Sequence, residues 1–111
     1  MLLICTKTCG TCRKAVALLN ERGVNFEYRE YRETPLSRDE IVDVLAKLDM
    51  GPRELLRVKD AVKLEIDHAT LDDDALIDAM AEHPGLIQRP IGIVGDKAVL
   101  GRPHEALLEL V

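Results

Sequence analysis

The sequence predicts an α/β protein: a mixed four-stranded sheet with helices on both faces, and a helical insertion ahead of the last β-hairpin. Three observations carry that expectation. The chain opens strand, helix, strand; its middle third is helical; and its last quarter reads as a hairpin followed by a helix. The 111 residues fit one domain, Met1 to Val111, with a single core.

Leu2 to Cys5 is a short apolar run of strand character, and the amphipathic segment Ala15 to Arg22 behind it ends at Gly23. Asn25 to Tyr31 follows as a second strand, with Phe26, Tyr28 and Glu30 alternating against their neighbours. Thr34-Pro35-Leu36-Ser37 breaks the pattern. Ser37 with Glu40 three residues later is a capping box, opening a helix through Ile41, Val44, Leu45 and Leu48 that Met50-Gly51-Pro52 stops. A helical turn from Arg53 to Val58 precedes a polar connection. Asp72-Asp73-Asp74 then starts a helix carrying Leu76, Ile77, Ala79 and Met80, ended by His83-Pro84-Gly85. Ile91 to Val94 and Ala98 to Leu100, joined by Gly95-Asp96-Lys97, form the hairpin, and a final helix runs from about Pro103 to Leu110. This order is that of a thioredoxin-like fold, and Pro90 stands before the third strand, where such a fold places a cis-proline beside its active cysteine.

Cys9-Gly10-Thr11-Cys12 lies between the first strand and the first helix, which sets a thiol at a helix N-terminus. Unpaired N–H groups and the helix dipole favour an anion there, so Cys9 is expected to act as a thiolate nucleophile. A CxxC in a βαβ setting reads as a redox pair rather than a zinc site, because zinc needs four ligands and only Cys5 and distant histidines could complete the set. His68, His83 and His104 show no two-ligand spacing, and the acidic run at 72–74 is a helix cap without the spaced loop of a calcium site. No metal is expected. Cys12 is expected to resolve the chemistry begun at Cys9, while Cys5, inside an apolar run, is read as a core residue.

A net charge of −5, no Trp, one Phe and two Tyr argue against direct nucleic-acid binding. No apolar run approaches the ~20 residues of a bilayer span. Three cysteines, two of them in one CxxC, suit a reducing compartment, and the reading is a cytoplasmic protein that does not enter the membrane.

Five segments together resemble the arsenate reductase (ArsC) family of the ArsC/Spx group. They are Cys9-Gly10-Thr11-Cys12-Arg13, Pro35-Leu36-Ser37-Arg38-Asp39-Glu40, Arg53-Glu54-Leu55-Leu56-Arg57, His83 through Ile91, and Gly101-Arg102-Pro103. Five motifs in this order over nearly the whole chain are specific where each alone is weak. The resemblance implies a thioredoxin-like fold, attack on arsenate by Cys9, and arginines Arg57, Arg89 and Arg102 holding the oxyanion. Taken alone, each arginine would read as a surface charge. The chemistry agrees: guanidinium forks neutralise a doubly charged oxyanion with a fixed geometry that lysine lacks. The implied protein is a monomer without a tightly bound cofactor, regenerated by glutathione with glutaredoxin or by thioredoxin. Two positions depart from the glutaredoxin-coupled reductases, which carry serine where Cys12 stands and histidine where Cys5 stands. The motif is thus closer to the Spx branch, redox-switched transcription regulators that bind the RNA polymerase α subunit, whereas Arg57 and Arg102 are closer to the reductases. A thiol-disulfide oxidoreductase not acting on arsenate is the remaining alternative.

Overall fold

The computed structural model describes residues 1–111. The chain divides into two compact units, one made of residues 1–34 and 89–111, the other of residues 35–88.

The first unit is built on the sheet. Its strands are β1 (Leu2–Cys5), β2 (Glu27–Glu30), β3 (Ile91–Val94) and β4 (Lys97–Leu100), in the order β2-β1-β3-β4. β1 runs parallel to β2, through the crossover helix α1 (Gly10–Glu21), and antiparallel to β3, which forms the hairpin with β4. Side chains alternate along a strand, so Leu3 and Cys5 leave β1 on one side, and they pack with Cys12, Ala15 and Leu19 from one stripe of α1. Gly23 closes α1 at φ +67°, a conformation that costs glycine little.

Leu107 joins the same cluster from the expected C-terminal helix, which is a 3-10 helix over His104–Leu110. In a 3-10 turn residues i and i+3 eclipse, which sets Leu107 and Leu110 side by side over Gly92. A Cβ at Gly92 would meet Leu107 Cδ2 at 2.8 Å and Leu110 Cδ1 at 3.0 Å. β2 is shorter than the alternation of Phe26, Tyr28 and Glu30 suggested. It pairs only over Glu27–Glu30, the four residues opposite β1.

The second unit is helical: α2 (Arg38–Leu48), α3 (Pro52–Leu55), α4 (Val58–Lys63) and α5 (Asp73–Glu82), with a 3-10 turn at Pro84–Leu86. The capping box is formed in both directions: the Glu40 N–H donates to Ser37 Oγ at 3.2 Å, and the Ser37 N–H donates to Glu40 Oε1 at 3.0 Å. Ile41, Val44 and Leu45 of α2 and Leu76, Ile77 and Met80 of α5 are buried, the i, i+3, i+4 pattern of two helices sharing a core. Arg38 ties the outer surfaces of these helices, donating to Asp78 at 2.7 Å and Asp74 at 2.9 Å. α4 replaces part of the expected polar connection. Its Val58 and Val62 are exposed and only Ala61 is buried, so it lacks the apolar stripe by which a sequence announces a helix.

The approach of β4 to the start of β3 depends on glycine. The Gly101 N–H donates to the Pro90 carbonyl at 2.7 Å, and a Cβ at Gly101 would lie 2.7 Å from Pro90 Cγ and 3.0 Å from Leu107 Cγ. A proline ring cannot swing aside. Gly101→Ala is therefore expected to lower stability by about 1–3 kcal/mol, as overpacking does, measured by urea unfolding with an unchanged m-value.

Candidate active site

β1 ends at Cys5, and a tight turn closes when the Cys9 N–H donates to the Thr6 carbonyl at 3.2 Å. This turn folds the chain back so that α1 starts beside the strand it has just left. Cys9 is the N-cap of α1, with φ −91° and ψ 122°, and its side chain makes no capping bond. No acidic residue stands in the first turn of α1, while Arg13 and Lys14 follow directly. The sulfur therefore faces the positive end of the helix with nothing to offset it.

Glu30 holds the turn from the neighbouring strand. Its carboxylate accepts from the Lys7 N–H at 2.7 Å and the Arg32 N–H at 3.1 Å. Burial works against the charge, but these two N–H groups, with the Thr6 hydroxyl, hold the Glu30 carboxyl below its ordinary 4.5. A depressed carboxyl contributes stability that is fully present above 4.5 and is lost as pH falls through the lower folded value. Glu30→Gln is accordingly expected to be less stable than wild type at pH 7 and to converge with it on acidification, measured by thermal unfolding from pH 7 to pH 3 (about the carboxylate range).

The three cysteines are free thiols and all are buried. The Cys5 S–H donates to the Cys12 sulfur. That bond, against the opposing effect of burial, and with help from the Thr6 backbone, Cys9 and the Arg89 charge, brings Cys12 down to about 7. Cys5 is pushed up and stays a thiol, because it is the donor in this bond and is buried. The shift favours the thiolate form of Cys12 near neutral pH, the form that attacks in thiol–disulfide exchange. Reading Cys5 as core matches its burial and misses its partner. The missed signal lay in the strand alternation, which gives Cys5 the same face as Leu3, the face that α1 covers.

Two of the three expected arginines stand in this unit. Arg89 is buried, with its guanidinium 5.9 Å from the centre of the Tyr31 ring, a cation–π contact that supports a charge inside the fold. The Arg89–Pro90 and Arg102–Pro103 peptides are cis. Arg102 reaches back from the end of β4: its Nε donates to the Arg89 carbonyl at 2.8 Å, and its Nη2 lies 3.9 Å from Cys9 Sγ. That contact fixes one edge of the guanidinium and points another at the thiol. Tyr31 escaped sequence reasoning because nothing local links it to Arg89, 58 positions on. Arg57 belongs to the second unit, where it is the N-cap of α4 and its Nε lies 3.0 Å from Asp60 Oδ2.

A CxxC at the first turn of the crossover helix, on a sheet of order β2-β1-β3-β4 with a cis-proline leading into β3, defines the thioredoxin-like class. Within that class the chain belongs to the ArsC family, whose model matches residues 5–110. It is 42% identical over 100 residues to an arsenate reductase of Neisseria meningitidis serogroup A, covering 87% of this chain and 86% of that one. It is 41% identical over 106 residues to YfgD, an uncharacterised protein of Escherichia coli K12, covering 93% and 89%. Among solved structures it matches an arsenate reductase from Vibrio cholerae with a TM-score of 0.85 and 33% identity, over 100% of this chain and 98% of that one. No helix is long and apolar enough to cross a membrane.

Proposed function

We propose that this chain is an arsenate reductase in which Cys9 is the nucleophile, Cys12 the resolving thiol, and Arg89 and Arg102 the cationic side of the oxyanion site. The observation that carries the reading is Arg102, held on the Arg89 carbonyl with a second edge of its guanidinium 3.9 Å from Cys9 Sγ, in a chain of the ArsC family. A redox switch would have little use for that arrangement, whereas an oxyanion beside Cys9 needs it.

The Cys9 thiolate attacks arsenic and displaces one oxygen as water, forming a Cys9–S–As bond at As(V). The Cys12 thiolate then attacks the Cys9 sulfur. The S–As bond breaks with its electron pair on arsenic, which leaves as arsenite at As(III), and the two cysteines are left as a disulfide. Cys12 at about 7 suits this step, being ionised in good part at neutral pH while retaining nucleophilicity. The disulfide is reopened by a thiol reductant, either glutathione with glutaredoxin or thioredoxin, and the protein works as a cytoplasmic monomer.

The test is arsenite release from arsenate by the purified protein, assayed separately with glutathione plus glutaredoxin and with thioredoxin. Turnover with either supports the reading and identifies the reductant. Absence of arsenite with both, and also with excess dithiothreitol, removes it.

A further inference from the structure

Cys5, Cys9 and Cys12 pack in one buried cluster, and the proposed reduction uses only two of them. Cys12 is the third residue of α1, and the turn that bonds Cys9 to Thr6 lays that first helical turn over the end of β1, where Cys5 sits. Cys12 therefore touches a sulfur on either side, Cys5 from the strand and Cys9 from the helix start. A cavity of about 440 Å³ also reaches Cys12, lined by Lys7, Arg13, Val16 and Tyr28. Arg102, the cation that meets Cys9, is not part of that lining.

We propose that Cys5 is a third redox thiol, which takes over the disulfide from Cys9 and so returns Cys9 to its free form. The step rests on the Cys9–Cys12 disulfide of the proposed reduction. The Cys5 sulfur attacks the Cys12 sulfur, a Cys5–Cys12 bond forms, and the Cys9–Cys12 bond breaks with its electron pair on Cys9. The Cys5 proton goes to Cys9 or to solvent. This is thiol–disulfide exchange, with no net oxidation and no further reagent.

The cluster supports this direction. While Cys12 is a thiolate it keeps the Cys5 proton in place through their hydrogen bond. Once Cys12 is in a disulfide that acceptor charge is gone; burial and the Glu30 charge still hold the Cys5 proton, which leaves as Cys5 attacks the sulfur it already touches and the Cys9 thiolate departs. After exchange Cys9 is again a thiol beside Arg102, and the disulfide has its Cys12 sulfur on the wall of the cavity. The apolar Val16 and Tyr28 with the cationic Lys7 and Arg13 suit an anionic thiol reductant arriving there.

The experiment follows the disulfide by digestion. Trypsin cuts after Lys7 and Arg13, so Cys5 lies in peptide 1–7 and Cys9 with Cys12 in peptide 8–13. The reduced protein is oxidised with stoichiometric arsenate in one arm and with diamide in the other. It is quenched at intervals with N-ethylmaleimide in denaturant, then digested. The expected first product is a closed loop within 8–13. It then converts to 1–7 linked to 8–13 as the major species, with the maleimide on Cys9 in the fragment spectrum. In Cys5→Ala, Cys9 is expected to stay unlabelled at all times after oxidation. A loop within 8–13 that never converts in wild type, or a link from Cys5 to Cys9, overturns the proposal, and the wild-type digest decides even if the variant does not fold. The diamide arm alone decides on Cys5, so failure of arsenate as a substrate shows separately, as no arsenite and no disulfide in the arsenate arm.

Discussion

Cys9→Ser is expected to abolish arsenate reduction, by roughly 10³-fold or more in kcat, while the protein keeps its fold. A serine hydroxyl in the same place is not ionised near neutral pH, cannot form the S–As bond, and offers no sulfur for the resolving attack. The substitution is nearly isosteric at a position that is 9% exposed, so the melting temperature is expected to stay close to wild type and to separate a chemical loss from a structural one. Cys12→Ser gives the instructive contrast. It leaves Cys9 able to bind arsenic but removes the internal thiol that releases it, so in the absence of added thiol the Cys9 adduct is expected to accumulate and to be seen by mass spectrometry of the intact protein. Adding glutathione should discharge it. Retained turnover in Cys9→Ser would transfer the nucleophile to Cys12, whose ionisation near 7 makes it the next candidate.

How much of this could be read from the chain varies by segment, for physical reasons. The Leu2–Cys5 strand, the CxxC and the helix behind it were legible because an apolar run, a turn and a helix start follow within a dozen residues, and each has a local signature. The Ser37–Glu40 box was legible because both partners lie within one turn. α4 was not, since a six-residue helix with two exposed valines has no periodic pattern to detect. Nor was the 3-10 form of the C-terminal segment, because a seven-residue apolar pattern does not separate it from an α-helix; the close fit of Leu107 and Leu110 over Gly92 appears only in the folded chain. At the site, the resemblance to a family selected Arg57, Arg89 and Arg102, but their surroundings were not legible. Arg89 is buried against Tyr31, Arg102 hangs on the Arg89 carbonyl, and Cys5 meets Cys12, all contacts between residues that only the folded sheet brings together. Sequence spacing carries helix faces and strand faces; it does not carry which face covers which.

Arg102→Ala is expected to lower kcat/KM for arsenate by roughly tenfold to a hundredfold or more. A charge-assisted contact between guanidinium and oxyanion is worth about 1.5–3 kcal/mol, and here the same side chain also sits 3.9 Å from Cys9 Sγ, the proposed nucleophile. Arg102 is exposed, held by its bond to the Arg89 carbonyl and the long contact to Cys9, so its loss should change stability little. Arg102→Lys keeps the charge and loses the fork: one ammonium cannot hold the carbonyl with one edge and present another to the anion, and only partial recovery is expected. Arg89→Ala is the opposite case. It removes a buried cation stacked on Tyr31 and one of the charges that favour the Cys12 thiolate, so both stability and the resolving step should suffer. Arg57→Ala completes the series. A fall in arsenate kcat/KM would assign Arg57 to the oxyanion as the family resemblance implies, and a fall in melting temperature alone would leave it as the partner of Asp60. Sulfate, a tetrahedral dianion, should protect Cys9 from iodoacetamide in wild type and lose that effect in Arg102→Ala. Unchanged arsenate kinetics and unchanged sulfate protection in Arg102→Ala would leave the contact with Cys9 without a catalytic use, and with it the main reason for placing an oxyanion at this thiol.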